Sequence, residues 1–298
     1  MSQVTVGIIG TGRAGTALGV ALAGAGYAVV AGWSRSRPAV ERFVSLVPSA
    51  SPVGRPAEAL ERADLLVLTV PDSLIDVLAQ ALPWSPDKLA VHCSGSLSLD
   101  VLAPAAAEGA GVGSLHPLLP LASVESAGRL GRAAIAIEGD ARTLPVLQEM
   151  ASRIGGSTVR LGPGDKALYH SAAVLAGNYT VTLFDAALRL WEELGVDRAA
   201  AAAALLPLLR GVADNLERED PATALTGPVA RGDAATIRAH VAALGARAPE
   251  LLPLYIVMAR QTLDLALRGE LISEEVASTL ESELEHTFEE AKGRLAKG

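Results

Sequence analysis

The chain has 298 residues, about twice the length of a typical domain, so two domains are expected. A hydrophobic fraction of 50% excludes a disordered chain, and a net charge of −8 with an aromatic content of 3% disfavours a nucleic-acid partner. The single cysteine, Cys93, excludes an internal disulfide and a cysteine-based zinc site, and no metal site is expected. It also favours a reducing, cytoplasmic location.

Short apolar runs alternate with helical stretches through the first half of the chain, which is typical of a doubly wound, mostly parallel sheet. Strands are expected at residues 4–9, 28–33, 65–70, 89–93, 113–115, 133–138 and 158–161. Residues 14–34 are uncharged and long enough to span a bilayer, but Gly24 and Gly26 indicate a helix end followed by a strand. We therefore expect no membrane segment.

The second half, after the turn residues Gly162, Pro163 and Gly164, is predicted to be entirely helical. Helices are expected at residues 165–194, 198–219, 233–245, 249–269 and 273–295. An α/β domain at 1–162 is thus followed by an all-helical domain at 163–298, and Asp233 is expected to cap a helix. The long helices carry more apolar surface than one thin layer covers, so we expect a homodimer formed through the helical domain.

A glycine-rich motif follows the first expected strand and opens the first helix. It consists of Gly10, Thr11, Gly12, Arg13, Ala14 and Gly15. In a GxGxxG motif in this context, Gly10 permits a tight turn, Gly12 lets the backbone approach a pyrophosphate, and Gly15 lets the helix pack on the strand. The helix N-terminus then faces the anion. The motif predicts that these six residues bind a dinucleotide in a Rossmann domain.

The end of the second expected strand indicates which dinucleotide binds. NAD-binding domains commonly place a carboxylate there, but this chain has Ser34, Arg35, Ser36 and Arg37 instead. Guanidinium and hydroxyl groups suit a 2′-phosphate, so NADP(H) is expected rather than NAD. The alternative is a solvated arginine-rich loop. Val70 and Pro71, at the end of the next strand, are expected to lie along the bound cofactor.

Residues after the later strands are candidates for chemistry, since ligands bind beyond the carboxyl ends of parallel strands. Ser94 and Gly95 offer a hydroxyl and an unobstructed backbone, and the alternative for them is an ordinary turn. His116 belongs to the pKa class suited to proton transfer near neutrality, and the alternative is a structural histidine.

The first helix of the second half carries polar residues in an otherwise apolar segment. On a continuous helix Lys166, His170 and Asn178 would line one side of a cleft, and the alternative is a hydrogen-bonded helix interface. His170 is the leading acid–base candidate, with Asn178 and Ser94 orienting the reacting group. Farther on, Arg231 could bind an anionic substrate group or form a structural ion pair.

These motifs together resemble a family of bacterial proteins in which an NADP-binding Rossmann domain precedes a helical domain of unknown function, DUF2520. The resemblance lies in residues 10–15, 70–72, 92–95, 114–118, 169–173, 178–179, 225–228 and 231–233. It implies kinship with 6-phosphogluconate, 3-hydroxyisobutyrate and prephenate dehydrogenases and pyrroline-5-carboxylate reductase, which commonly dimerise through their helical domains. The β-hydroxyacid dehydrogenases use a lysine and an asparagine one turn apart, whereas here Lys166 is followed one turn later by His170.

The sequence as a whole predicts an NADP-dependent oxidoreductase that acts on a small, polar, anionic substrate in a cleft between its two domains. The expected catalytic residues are His170, His116, Asn178 and Ser94, and the expected substrate-binding residues are Ser94, Gly95, His116, Lys166 and Arg231. Two alternatives stay open: a non-enzymatic NADP-binding sensor, and an enzyme similar to the F420-dependent NADP reductases.

Overall fold

The computed structural model describes residues 4–121 and 124–295. The chain divides into two compact units, Met1–Asn178 and Tyr179–Gly298. The first unit contains the sheet, and the described residues of the second unit are helical or in turns and loops.

Eight strands form one sheet in the first unit. They are β1 (Val6–Ile9), β2 (Val29–Trp33), β3 (Ser51–Pro52), β4 (Leu65–Leu68), β5 (Leu89–His92), β6 (Gly111–Pro117), β7 (Ala134–Gly139) and β8 (Ser157–Arg160). Their order is β3-β2-β1-β4-β5-β6-β7-β8. All neighbours pair in parallel except β6 and β7, which are antiparallel. The prediction of a doubly wound, mostly parallel sheet is confirmed.

The central strands are apolar throughout because both faces of the sheet are covered. All four residues of β4 are buried. Val67 packs in a cluster on one face with Val91, whereas Leu66 and Leu68 pack in a second cluster on the other face. Strand β3 was missed because it is two residues long, exposed and contains a proline, so it has no apolar run to find.

Seven helices belong to the first unit. They are α1 (Arg13–Gly24), α2 (Arg37–Leu46), α3 (Pro56–Arg62), α4 (Ile75–Ala81), α5 (Ala103–Ala107), α6 (Thr143–Ile154) and α7 (Lys166–Ala176). Short 3₁₀ helices occur at Asp72–Leu74, Leu99–Leu102 and Val124–Arg132. Residues 14–34 form most of α1, a turn and β2, as predicted, rather than one continuous helix.

Six helices lie in the described residues from Asn178 onward. They are α8 (Asn178–Glu192), α9 (Arg198–Leu216), α10 (Pro221–Ala224), α11 (Ala234–Arg247), α12 (Leu252–Arg268) and α13 (Glu274–Leu295). Asp233 caps α11 by accepting a hydrogen bond of 3.0 Å from the backbone N–H of Thr236, so the predicted cap is confirmed. The core of the unit includes Ile237, Val241 and Leu280.

The expected single helix over residues 165–194 is wrong, because the structure has two helices separated at Gly177. The compact units also divide after Asn178, later in the chain than the expected boundary after residue 162. Helix α7 belongs to the first unit, where the buried Lys166 ammonium donates a hydrogen bond to the backbone oxygen of Ser94. A polar contact of this kind leaves no signature in the sequence around either residue.

Among the described residues, α9 is the one helix that is long and apolar enough to cross a membrane by length and composition alone. Only 6% of its most apolar 18-residue window is buried. Length and composition alone do not show that α9 crosses a membrane. The exposed apolar side chains of α9 nevertheless need an explanation.

Candidate functional site

The glycine loop between β1 and α1 is a tight turn that requires two of its glycines. Gly10 has a φ of +101°, and a Cβ placed on it would lie 2.6 Å from the backbone oxygen of Thr69. A Cβ on Gly15 would overlap the backbone oxygen of Gly10. The Thr69 hydroxyl donates a hydrogen bond of 2.8 Å to that same oxygen and so fixes the loop against the end of β4.

The opening of α1 is suited to an anion. No side chain caps its N-terminus, no acidic residue lies in its first turn, and a Cβ on Gly12 would meet no atom within 4 Å. The Thr11 hydroxyl is buried and has no hydrogen-bond partner among the described residues. The backbone N–H groups at this helix end are therefore free to bind a phosphate, and the residues fit the pyrophosphate of a dinucleotide.

The loop after β2 presents one unpaired guanidinium. Arg37 pairs with Glu41 at 2.9 Å, whereas the exposed Arg35 makes no hydrogen bond or ion pair with any residue that the structure describes. The Ser34 hydroxyl accepts a hydrogen bond of 3.3 Å from the N–H of Ser36. Arg35 is thus available to an incoming anion, while Arg37 already has a carboxylate.

The turn after β5 is held by hydrogen bonds from three directions. The Ser94 and Ser96 hydroxyls donate to the Asp72 carboxylate at 2.8 and 3.0 Å. The Lys166 ammonium donates to the backbone oxygen of Ser94 at 2.8 Å, and the N–H of Ser94 donates to Nδ1 of His92 at 3.1 Å. Because side chains from three other segments hold one short turn, its backbone is fixed.

Two histidine rings flank Gly95 in this turn. A Cβ on Gly95 would lie 2.7 Å from Cδ2 of His170 and 2.9 Å from both Cε1 and Nε2 of His116. The two ring centroids are 6.4 Å apart. Nδ1 of His116 lies 2.7 Å from the Tyr169 hydroxyl, which orients the ring. The backbone of residue 95 can pass between the histidines only because it carries no side chain.

Burial sets the charge state of several of these groups. Burial, followed by the nearby Lys166 and His170, lowers the pKa of His116 to about 4. Burial likewise lowers the pKa of Lys166, whose residue is 3% exposed. Burial raises the pKa of the Cys93 thiol to about 12, so this thiol stays protonated and unreactive near neutral pH. At pH 7 the His116 ring is therefore neutral and can donate or accept a hydrogen bond.

A small cavity of about 210 Å³ lies between the glycine-loop helix and His116, within the first unit. It is lined by Ala14, Leu18, Thr69, Cys93, His116, Pro117, Leu119 and Leu121. The lining joins the start of α1 to the carboxyl end of β6, which is the edge where ligands of doubly wound sheets bind. A group held by the glycine loop could therefore extend towards His116.

The structure brings Ser94, Gly95, His116, Lys166 and His170 together at the turn after β5, and their roles in a site stay predictions. Val70 and Pro71 follow β4 and immediately precede Asp72. For Asn178 the argument from a continuous helix is wrong, because the helix is interrupted at Gly177 and Asn178 begins α8. Arg231 is exposed in the second unit. The site roles of Asn178 and Arg231 stay predictions.

The sequence prediction omitted Tyr169, Asp72 and Ser96 from the site. Tyr169 lies next to His170 on α7, and Asp72 directly follows Pro71, so both stand beside residues that were chosen. Their partners, however, come from elsewhere in the chain: Tyr169 contacts His116, and Asp72 contacts two serines after β5. The only sequence signal for these residues is that they lie next to residues chosen for the site.

The doubly wound sheet with a glycine loop at the start of α1 defines a protein of the Rossmann type. Residues 1–117 match the model of the Rossmann-like domain family, and residues 133–262 match the family described as Domain of unknown function (DUF2520). The chain therefore combines a Rossmann-like domain with a DUF2520 domain, which confirms the resemblance found in its motifs.

Several solved structures share this fold. A Bacteroides fragilis protein assigned as an NADP oxidoreductase is 23% identical with a TM-score of 0.71, over 88% of this chain and 98% of that one. An Aspergillus terreus reductive aminase in complex with NADPH is 20% identical with a TM-score of 0.58, over 97% and 95%. A Plasmodium falciparum pyrroline carboxylate reductase with NADP bound is 15% identical with a TM-score of 0.60, over 95% and 99%. The search of curated sequences gave no match.

Proposed function

We propose that the protein is an NADP(H)-dependent oxidoreductase that acts on a small polar molecule. The observation that carries the proposal is the cavity lined by both the start of α1 and His116, with His170 across Gly95 from that ring. The three structural neighbours described above, all assigned as oxidoreductases or reductases and two of them bound to NADP(H), add support.

The glycine loop, from Gly10 to Gly15, would hold the cofactor pyrophosphate at the N-terminus of α1. Arg35, with the hydroxyls of Ser34 and Ser36, would hold the 2′-phosphate. Val70 and Pro71, at the end of β4, would lie along the rest of the cofactor. When bound, NADP(H) supplies or accepts the hydride.

The histidines and Lys166 would act on the substrate. Nδ1 of His116 is engaged by the Tyr169 hydroxyl, so Nε2, which lies beside Gly95, is the atom that can meet a substrate. Because a pKa of about 4 leaves the His116 ring neutral at pH 7, this ring would orient the substrate through a neutral hydrogen bond. His170 would hold or release the proton, and the cation of Lys166 would favour an anionic substrate.

Arg35→Ala is expected to weaken NADPH binding by about 10- to 100-fold, because a charge-assisted pair with the 2′-phosphate contributes ~1.5–3 kcal/mol. Binding of NADH, which has no such phosphate, should stay unchanged. The measurement is isothermal calorimetry of the purified protein with each nucleotide. Arg37→Ala is the matched control, because the Arg37 side chain is also exposed to solvent but is paired with Glu41.

Three results would contradict parts of this proposal in different ways. Failure of the wild-type protein to bind either nucleotide would remove the oxidoreductase function altogether. Tight, selective NADPH binding without oxidation of NADPH by any member of a carbonyl and imine panel would favour the sensor alternative. An unchanged NADPH affinity in Arg35→Ala would show that the 2′-phosphate is recognised elsewhere.

The proposal includes a cytoplasmic homodimer formed through the helices of the second unit. Apolar side chains stand exposed there: Val181 is 70% exposed on α8, and Leu208 and Val212 are 67% and 48% exposed one turn apart on α9. Covering such side chains in a subunit interface removes apolar surface from water. The single cysteine, Cys93, supports a reducing compartment.

Light scattering is expected to give twice the chain mass of 30.5 kDa at micromolar concentration. Replacing both Leu208 and Val212 by Asp should give the monomer, because two carboxylates would then be desolvated in the interface. Arg210→Ala, on the same helix, serves as the control and should remain dimeric. A monomeric wild-type protein would contradict the proposed dimer. Binding of that monomer to lipid vesicles would then indicate that the apolar surface of α9 contacts a membrane.

A further inference from the structure

Helix α7 and strand β6 are joined by a hydrogen bond between two ring side chains of the first unit. The Tyr169 hydroxyl lies 2.7 Å from Nδ1 of His116, and the two rings stand at 87° to each other with their centroids 5.7 Å apart. Neither the hydroxyl nor the His116 ring makes another hydrogen bond with the residues that the structure describes. The direction of this bond therefore decides which ring nitrogen of neutral His116 carries the proton.

The chemistry of the two groups favours the Tyr169 hydroxyl as the donor. A phenol is a far stronger acid than a neutral imidazole, and an unprotonated imidazole nitrogen, which binds a proton at about pH 6.5, is a far stronger base than a phenol oxygen. Burial raises the pKa of Tyr169 further, so its hydroxyl keeps the proton that it donates. The separation of 2.7 Å is also shorter than the ~2.9–3.0 Å usual for an N–H that donates to oxygen.

The second nitrogen of the His116 ring lies at the turn after β5. A Cβ on Gly95 would lie 2.9 Å from Nε2, which has no hydrogen-bond partner among the described residues. His116 also lines the cavity of about 210 Å³ that begins at the start of α1. Nδ1 is occupied by Tyr169, so Nε2 is the ring nitrogen left for a ligand.

We propose that Tyr169 fixes His116 in the tautomer that carries its proton on Nε2, and that the site therefore recognises a hydrogen-bond acceptor on its substrate. In this state the Nε2–H group donates and cannot accept. A carbonyl oxygen, a carboxylate oxygen or an imine nitrogen fits it, whereas a protonated amine would place one donor against another.

Tyr169 is then a positioning residue, because it acts on the substrate only through His116. His116 itself transfers no proton in this role and serves as a fixed hydrogen-bond donor. The recognition of an acceptor rests on the proposed function, but the tautomer is a property of the free protein and can be measured without a substrate.

The second unit contains a matched pair of side chains for comparison. The Tyr255 hydroxyl lies 2.9 Å from Nδ1 of His240, with the rings at 87° and their centroids 5.9 Å apart. The same two residue types thus meet in nearly the same geometry, in a pair that has no part in the proposed site. Tyr255→Phe is therefore the control for Tyr169→Phe, since each removes one hydroxyl and keeps the aromatic ring.

Nitrogen NMR of the histidine rings tests the tautomer. The chain has five histidines, so protein labelled with ¹⁵N-histidine gives few ring signals, and His116→Gln identifies those of His116. Protonated and unprotonated ring nitrogens resonate far apart, and the wild-type protein at pH 7.5 is expected to carry the His116 proton on Nε2. In Tyr169→Phe the His116 signals should move towards a mixture of both tautomers, and in Tyr255→Phe they should stay in place.

Two spectra would overturn the inference. One is a wild-type spectrum with the His116 proton on Nδ1, which needs no variant to fold. The other is a spectrum of folded Tyr169→Phe in which the His116 signals have not moved. A wild-type proton on Nε2 that is lost in Tyr169→Phe alone would support the inference.

Kinetics test the recognition of an acceptor. With any member of the carbonyl and imine panel that oxidises NADPH, Tyr169→Phe is expected to lower kcat/KM by about 10-fold, because an oriented hydrogen bond to the substrate is lost. Tyr255→Phe should match the wild-type protein. An unchanged kcat/KM in Tyr169→Phe with a shifted tautomer would contradict recognition through Nε2–H. Failure to bind NADPH would instead remove the proposed function and leave the tautomer of His116 as it is.

Discussion

Gly95→Ala is expected to lower turnover by about 100-fold or more, once a substrate is in hand, because a methyl group would displace both histidines. Its Cβ would lie 2.7 Å from the His170 ring and 2.9 Å from the His116 ring. The turn cannot yield easily, since Lys166 and Asp72 hold it from both sides. A misplacement of ~1 Å near the reacting atoms costs about that factor, and overpacking also costs ~1–3 kcal/mol of stability.

The matched control for this substitution is Gly24→Ala. A Cβ on Gly24 would meet nothing within 4 Å, and its φ is not positive, so the added methyl group should be tolerated. Histidine ring NMR signals report the displacement without a substrate: those of His116 and His170 are expected to shift in Gly95→Ala and to stay in place in Gly24→Ala. Unchanged signals and full turnover in Gly95→Ala would show that the turn can move to accommodate the methyl group despite its hydrogen bonds.

The parts of the fold that the sequence predicted well are those set by local patterns. The apolar run of β4 identifies a strand covered on both faces, and the spacing of Gly10, Gly12 and Gly15 after β1 identifies the loop that opens α1. Asp233 likewise predicts the start of α11, because a helix cap depends on residues only three positions away.

The contacts that could not be predicted from the sequence join segments that are distant along the chain. The bond from Lys166 to the Ser94 carbonyl spans 72 positions, and the contact between Tyr169 and His116 spans 53. No periodicity or spacing encodes such contacts, so the bond by which the Lys166 ammonium holds the turn after β5 could not be predicted. The role of Lys166 towards a substrate stays a prediction. The interruption at Gly177 was missed for a related reason: a single glycine is tolerated within many helices.

Acid is expected to destabilise the protein between pH 6.5 and 4, owing to the buried histidines beneath the site. Burial lowers the pKa of His92 from 6.5 to about 4, and that of His116 to a similar value. In this window the unfolded chain binds a proton at these positions and the folded chain does not, so stability is present above pH 6.5 and is lost as the pH falls through the folded pKa. For His92 alone the loss is roughly 3 kcal/mol by pH 4, a large part of a typical folding free energy.

Urea unfolding at pH 7.5 and at pH 4.5 measures this loss, and His92→Asn should reduce the difference between the two pH values. The Asn side-chain oxygen can replace Nδ1 as acceptor for the N–H of Ser94 but does not titrate. Glu138 changes the stability in the opposite direction, because burial raises its pKa and the folded state binds this proton at a higher pH than the unfolded chain does. Since Glu138 is present in both proteins, comparing His92→Asn with the wild-type protein isolates the effect of the histidine. Phe43→Leu, which removes buried volume without touching a histidine, should lower stability equally at both pH values. Equal pH dependence in His92→Asn and the wild-type protein would mean that the His92 ring accepts a proton within the fold.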